Sequence, residues 1–207
     1  MSPRDEIERL LSVPGRSVDA DSADAARRFA ERAASQGAAE ISYATVDTPV
    51  GIASVAATSR GVLSVGLPSE AVDDFLDRLA EHVSPSIVEA PVTLDVARRE
   101  LDEYFSGRRQ GFDLPLDWRL VPGGFYRRVL NATSKLPFGT TMTYGEIAAQ
   151  AGNARAHRAA GTALGSNPLP IVVPCHRIIR SGGDPGNYGG GPELKKWLLR
   201  LEGSLEI

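Results

Sequence analysis

The chain has 207 residues and a formal net charge of -3 at pH 7, with 42% hydrophobic and 24% charged residues. These values are typical of a globular protein with one or two domains, and because the sequence has no run of 18 or more apolar residues we expect no membrane-spanning helix. A single cysteine excludes an internal disulfide and a multi-cysteine zinc site, and the three histidines lack ligand spacing. Since the N-terminus shows no secretory-signal pattern, we expect a cytoplasmic protein without metal or cofactor.

The first 38 residues predict a helical arm, with one helix beginning at Ser2-Pro3 and another running from about Ser22 to Gln36. Residues 39–120 predict an α/β domain. Alternating Val, Ile and Thr residues in its first part predict a three-stranded antiparallel sheet, and two amphipathic helices follow in segments 69–83 and 93–107.

Prolines and glycines around residue 120 predict a domain boundary, after which residues 121–207 predict a second domain of short helices. One of these helices begins with Thr143 as its cap and Glu146 three positions later, the pattern of a capping box. It leads directly into "ARAHRAAGTALGSN" (154–167), and two short helices joined in this way predict a helix-turn-helix.

The charge is divided unevenly along the chain. Residues 121–207 hold ten basic and five acidic side chains, whereas the first 120 residues hold thirteen basic and twenty-one acidic ones. This asymmetry indicates that the C-terminal part meets a polyanion such as nucleic acid. The second helix of the pair has almost no bulky side chains besides Arg155 and Arg158, which suits either close helix packing or entry into a narrow groove.

The only cysteine lies in the segment "PIVVPCHRIIR". A lone cysteine after an apolar run is most often buried and inert. The adjacent His176 favours a nucleophile instead, because a proton-accepting neighbour lowers the pKa of a thiol. Neighbouring side chains on a strand point to opposite faces, so we expect Cys175 and His176 to communicate through a water or a bend at the prolines. A carboxylate is expected to orient the histidine.

Five segments, "NPLPIVVPCHRII", "YGEIA", "RAAGTALGSN", "NYGGG" and "LKKWLLRLEG", together resemble the O6-alkylguanine-DNA alkyltransferase family of methylated-DNA–protein-cysteine methyltransferases. The resemblance is strong over residues 125–203 and holds in outline over 40–120. It implies an α/β (α+β) fold: an N-terminal ribonuclease H-like domain and a C-terminal, winged-helix-like helix-turn-helix domain. It also implies a repair protein that flips O6-alkylguanine out of duplex DNA and transfers the alkyl group irreversibly to Cys175, once per molecule.

The resemblance further assigns roles to single residues. Cys175 is the nucleophile, His176 is its base acting through a water, and Glu202 orients that histidine. Tyr144 and Lys195 assist the departing guanine, although Lys195 also suits a solvated helix face. Asn167 matches a hinge between the recognition helix and the active-site strand, with capping of the helix end as an equally physical role. Arg177 is expected to be structural.

The same resemblance predicts two groups of contact residues. Arg158 matches an arginine that fills the space of the flipped base, and the DNA-binding group is completed by Tyr144, Ala159, Gly161 and Thr162. Around the substrate we expect a pocket formed by Pro170, Ile178, Tyr188 and Gly189, with main-chain groups reading the guanine edge.

Two other functions remain open at the level of sequence. A Cys-His hydrolase would need an oxyanion hole and many turnovers. A DNA-binding sensor or regulator of alkylated bases would work without the cysteine. The N-terminal arm could also dock on a neighbouring copy of the protein along DNA, and no membrane partner is expected.

Overall fold

The computed structural model describes residues 18–205, so the helix predicted at Ser2-Pro3 lies outside the described residues. Helix α1 (Val18–Ser35) agrees with the predicted second helix of the arm. It packs beside the N-terminal sheet and is held there by Glu31. The Glu31 carboxylate accepts hydrogen bonds from the backbone N–H groups of Val92 and Thr93, at 2.8 and 3.1 Å. These bonds attach helix α1 to the N-terminal domain of the same chain.

The N-terminal sheet contains the three predicted antiparallel strands, β1 (Ile41–Thr48), β2 (Gly51–Thr58) and β3 (Gly61–Gly66). These three strands are confirmed, and within residues 18–205 the sheet also has a fourth strand, β4 (Ile87–Glu89), which the sequence pattern did not predict. Strand β4 pairs parallel to β1, so the order is β3-β2-β1-β4. Three residues are too few to show alternation, and β4 forms only because the preceding helix returns the chain to the edge of β1.

Two helices cover the opposite faces of this sheet. Helix α2 (Val72–His82) buries Phe75 and Leu79 against one face, whereas α3 (Asp95–Phe105) buries Leu101 and Tyr104 in the larger core on the other face. The two faces use alternate residues of the strands, as the period of a β-strand requires.

The C-terminal part is helical, as predicted, and its elements follow in the order α4 (Phe125–Thr133), β5 (Met142–Thr143), α5 (Tyr144–Gln150), α6 (His157–Gly165), a 3₁₀ turn (Cys175–Arg177), β6 (Ile178–Ile179) and α7 (Gly191–Leu201). The capping box is confirmed: Thr143 Oγ1 accepts from the Glu146 backbone, and the Glu146 carboxylate accepts from the Thr143 backbone at 2.7 Å. Helices α5 and α6 form the predicted helix-turn-helix.

The larger hydrophobic core runs without interruption from β1–β3 and α3 into α4, α5, α6 and α7. The two parts of the chain therefore share one core, and side chains from α3 can reach the C-terminal part. Within residues 18–205, no helix combines the length and apolar character needed to cross a bilayer.

Candidate active site

The cysteine lies in a 3₁₀ turn rather than on the predicted strand, so that prediction is wrong. The turn follows an irregular segment in which Ile171 has φ 73°, a left-handed conformation that β-branched residues rarely adopt. Backbone bonds across short separations hold this segment, including Val173 N–H to Leu169 O at 2.7 Å and Cys175 N–H to Val173 O at 2.8 Å. The prolines on both sides of "IVV" restrict the chain further. Cys175 is thereby presented from a rigid loop.

A cavity of about 940 Å³ opens above the thiol. It lies between the helix-turn-helix and the loop that precedes α7. Its walls are formed by Tyr144, Gly145, His157, Arg158, Gly161, Thr162, Leu164, Gly165, Cys175, Arg180, Ser181, Asn187, Tyr188 and Gly189. Cys175 is only 7% exposed, so a substrate must enter the cavity to reach the sulfur.

Asn167 holds the thiol in place. Its side-chain amide donates to Cys175 Sγ at 3.1 Å and to Val173 O at 2.9 Å, while its oxygen accepts from Leu169 N–H at 3.0 Å. Helix α6 ends at Gly165, and the backbone N–H of Asn167 donates to Leu164 O in its last turn at 3.3 Å, which suits the capping role. The side chain of Asn167 also cross-links the segment between α6 and the cysteine.

Behind the cysteine, His176 and Glu202 form a fully buried pair, with His176 Nε2 and Glu202 Oε1 2.9 Å apart. Arg177 binds the same carboxylate with two nitrogen atoms, each at 2.8 Å, and Gly139 N–H adds a fourth donor at 3.2 Å. Burial alone would raise the pKa of Glu202, but the side-chain hydrogen bonds from His176 and Arg177 outweigh it and lower the pKa to about 2. The carboxylate is therefore ionised at neutral pH.

Tyr104 also binds this carboxylate, and the sequence interpretation missed it. Its hydroxyl donates to Glu202 Oε1 at 2.6 Å and lies 3.3 Å from His176 Nε2. The residue comes from α3, 98 positions before Glu202. The only local signal for it is its place three positions after Leu101 in segment 93–107, which helical periodicity puts on the core-facing side.

Burial dominates the acid–base properties of the cysteine and histidine. It raises the pKa of the Cys175 thiol, although the Asn167 amide and the charge of Lys195 act in the opposite direction. Burial also lowers the pKa of His176, despite the opposing influence of Glu202. The expected lowering of the thiol pKa by a neighbouring histidine is thus wrong for the resting protein, which holds a thiol beside a neutral imidazole.

Lys195 is completely buried, which rules out the solvated helix face. Its ammonium donates to the carbonyl oxygen of Ile178 at 2.6 Å and lies 3.4 Å from the carbonyl oxygen of Asn187. Its pKa is lowered to about 8, chiefly by burial and against the opposing effect of Cys175. Lys195 therefore ties the turn that holds the cysteine to the loop that holds Tyr188.

Two family models match the chain. One describes the ribonuclease-like domain of 6-O-methylguanine DNA methyltransferase and matches residues 41–118, and the other describes the DNA-binding domain and matches residues 124–204. A methylated-DNA–protein-cysteine methyltransferase of Methanosarcina acetivorans is 37% identical over 164 residues, which cover 78% of this chain and 98% of the relative. The chain belongs to the 6-O-methylguanine DNA methyltransferase family.

Other methyltransferases of this family support the assignment. One from Mycolicibacterium paratuberculosis is 39% identical over 162 residues, covering 78% of this chain and 92% of the relative. The crystal structure of the Mycobacterium tuberculosis O6-methylguanine methyltransferase superimposes with a TM-score of 0.67 at 34% identity, covering 81% and 95% of the two chains. The crystal structure of the Mycobacterium tuberculosis protein in complex with DNA superimposes with a TM-score of 0.68 at 36% identity, covering 79% of this chain and 93% of that one. The predicted two-domain methyltransferase fold is confirmed.

Most residues predicted from the methyltransferase resemblance meet at this cavity. The cavity is lined by Tyr144, Arg158, Gly161, Thr162, Cys175, Tyr188 and Gly189. Behind it lie Asn167, His176, Lys195 and Glu202. Three predicted contacts do not reach it. Ala159 is half-buried on α6 outside the lining, and Ile178 is buried with its carbonyl bound to Lys195. Pro170 lines an adjoining groove, of about 660 Å³, between the sheet and the end of α6.

Proposed function

We propose that this protein repairs DNA by transferring the alkyl group of O6-alkylguanine in a duplex to its own Cys175, after flipping the base into the cavity. One observation supports this most directly. The only cysteine of the chain lies at the bottom of a cavity whose mouth is formed by the helix-turn-helix, with a buried base behind the sulfur. The names of the relatives, methylated-DNA–protein-cysteine methyltransferases, describe the same reaction.

The proposed chemistry is a direct displacement. The Cys175 thiol gives up its proton through a water to His176 Nδ1, which has no hydrogen-bond partner among the described residues. The sulfur then attacks the alkyl carbon, a C–S bond forms, and the C–O bond to guanine breaks. The guanine leaves with the electron pair and takes up a proton as it departs. The thioether product is stable, so each molecule reacts once and needs no cofactor.

The buried residues suit separate parts of this step. Glu202 stabilises the imidazolium that forms when His176 takes the proton. Lys195 places a positive charge near Cys175 and so favours the thiolate that the reaction requires. The Tyr144 hydroxyl remains protonated, since burial raises its pKa, and it is placed on the cavity wall to donate a proton or hydrogen bond to the departing guanine.

The surface around the cavity suits a flipped nucleotide. Arg158 is exposed at the mouth, where its side chain can occupy the space left in the base stack. Gly161 brings the backbone of α6 against the ring of Tyr144, since a Cβ at that position would lie 3.7 Å from the ring. Because Gly161 and Thr162 are small residues, this face of α6 has no bulky side chain there, which supports entry of the helix into the minor groove.

The proposal includes three functional segments and a location. We assign residues 1–38 to an N-terminal extension, residues 39–120 to a supporting domain that supplies Tyr104, and residues 121–207 to the domain that binds DNA and accepts the alkyl group. We place the protein in the cytoplasm, because the reaction requires Cys175 as a free thiol and that compartment keeps thiols reduced.

Intact-mass measurement tests the function directly. The protein is incubated with a duplex containing O6-methylguanine, and we expect each chain to gain the mass of one CH₂ unit, with none gained from an unmodified duplex. Cys175→Ala is the matched control and should gain nothing while retaining duplex binding. If the wild-type protein binds the duplex and its mass does not change, the protein is a sensor and the transfer proposal fails. Repeated turnover of ester or amide substrates would instead indicate a hydrolase.

A further inference from the structure

Tyr104 is a fully buried residue near the end of α3, in the part of the chain that supports the sheet. Its ring is enclosed by Phe105, Phe112 and Phe138, with ring centroids 5.6, 5.3 and 6.3 Å away. These contacts fix the position of the ring and leave the hydroxyl as its only polar atom. The hydroxyl must therefore act where the packing places it.

The hydroxyl has two possible acceptors, Glu202 Oε1 and His176 Nε2, and the contact to the carboxylate is the shorter one. Glu202 Oε1 lies 2.6 Å away and is an acceptor, because the carboxylate is ionised. The pKa of Tyr104 is raised well above its ordinary value by burial and by Glu202, so the hydroxyl stays protonated. Once the O–H points at Glu202, the oxygen of Tyr104 presents a lone pair to His176 Nε2 at 3.3 Å.

His176 Nε2 thus faces two acceptors at once, the Tyr104 oxygen and Glu202 Oε1 at 2.9 Å. A neutral imidazole satisfies both only when Nε2 carries the proton. The other ring nitrogen, Nδ1, is then the unprotonated one. It is buried without a hydrogen-bond partner among the described residues, and it is the nitrogen available to the thiol.

We infer that Tyr104 is a positioning residue that, together with Glu202, holds His176 in the Nε2–H tautomer and so leaves Nδ1 as the base for Cys175. This inference rests on the proposed alkyl transfer. It means that the sheet domain contributes to the chemistry of the C-terminal domain, because α3 supplies a hydroxyl that no element within the described residues 121–205 provides at this carboxylate.

The first experiment measures the tautomer itself. Protein labelled with nitrogen-15 at histidine gives signals from only three residues, and His176→Gln identifies those of His176. We expect wild-type His176 to show the Nε2–H pattern. We expect Tyr104→Phe, which keeps the ring, to show a mixture of the two tautomers. Tyr43→Phe removes a half-buried hydroxyl from β1 and serves as the matched control, with unchanged His176 signals.

The second experiment measures the reaction under single-turnover conditions with the O6-methylguanine duplex. In Tyr104→Phe the loss of one charge-assisted hydrogen bond is expected to slow methyl transfer about tenfold, while duplex affinity stays within about twofold because Tyr104 lies outside the cavity. A role in packing alone would lower stability without moving the tautomer signals of the folded protein.

The possible failures are distinguishable. If wild-type protein takes up no methyl group, the proposed function fails. If wild-type protein reacts and folded Tyr104→Phe keeps both its rate and its His176 signals, the function stands and the role of Tyr104 is overturned. Should Tyr104→Phe not fold, the wild-type spectrum still decides, since a His176 with its proton on Nδ1 contradicts the inference.

Discussion

Replacing Glu202 by glutamine removes the charge at the centre of the buried network while keeping the size of the side chain. The pKa of Glu202 is lowered from its ordinary 4.5 to about 2, and the side chain has no exposed surface. At about 1.4 kcal/mol per pH unit, the ionised form stabilises the fold by about 3 kcal/mol. Because Arg177 would remain buried without its partner, we expect Glu202→Gln to lower the free energy of unfolding by about 3–5 kcal/mol at neutral pH.

Denaturant unfolding at neutral pH measures this loss, with Glu81→Gln as the control for an exposed carboxylate (its side chain is 79% exposed). Arg177→Met combined with Glu202→Gln should recover part of the stability, because the double variant buries no unpaired charge. Since the folded pKa is the lower one, the contribution of Glu202 in the wild type is complete above about pH 4.5 and disappears as the pH falls towards about 2.

The reasoning is refuted if Glu202→Gln is as stable at neutral pH as Glu81→Gln. It is also refuted if the double variant is less stable than Glu202→Gln alone, because the buried cation would then not be the source of the cost. Activity gives a parallel readout. Without the carboxylate the imidazolium is not stabilised, so we expect alkyl transfer to slow by about a hundredfold.

Three further substitutions test other contacts. Asn167→Asp places a carboxylate beside the cysteine sulfur, so the thiol pKa should rise and the transfer rate at neutral pH should fall more than about tenfold, as a pH–rate profile will show. Lys195→Met removes a buried cation with a pKa of about 8. In the unfolded chain the lysine keeps its proton up to its ordinary pKa of 10.5, whereas in the folded protein it loses the proton above about pH 8. The free energy of unfolding of the wild type should therefore rise by up to about 3 kcal/mol between about pH 7 and about pH 10, and that of Lys195→Met should lack this rise. Gly61 has φ 129°, and a Cβ at this position would collide with the backbone oxygen of Pro115. Gly61→Ala should therefore lose about 2 kcal/mol or more of stability relative to Gly111→Ala, whose Cβ meets no atom within 4 Å.

Each of these expectations can fail separately. An unchanged pH–rate profile in Asn167→Asp would show that the amide does not control the thiol. Equal pH dependence of stability in Lys195→Met and wild type would mean that the ammonium is not desolvated. Equal stability of the two glycine variants would show that the β2–β3 turn can move away from its neighbour.

Sequence patterns were sufficient where the interacting groups are close together in the chain. The capping box at Thr143 and Glu146 forms between residues three positions apart, and it was predicted together with the helix it begins. The three longer strands of the sheet were also predicted, because alternation over six to eight residues reports which face is buried. Strand β4 was not predicted, because its pairing with β1 depends on where the chain runs after the end of α2 rather than on its own three residues.

The sequence by itself determined the family and the helix-turn-helix and singled out Cys175 as the proposed nucleophile, because these rest on short motifs whose residues are neighbours in the chain. The tertiary structure decided in which direction the pKa of the Cys175 thiol is shifted. The direction of the thiol pKa follows from burial by segments far apart in sequence, and Tyr104 meets Glu202 only when α3 packs against the C-terminal helices. Desolvation and hydrogen bonds across 98 residues depend on the whole packed core, and no local pattern of residues specifies them.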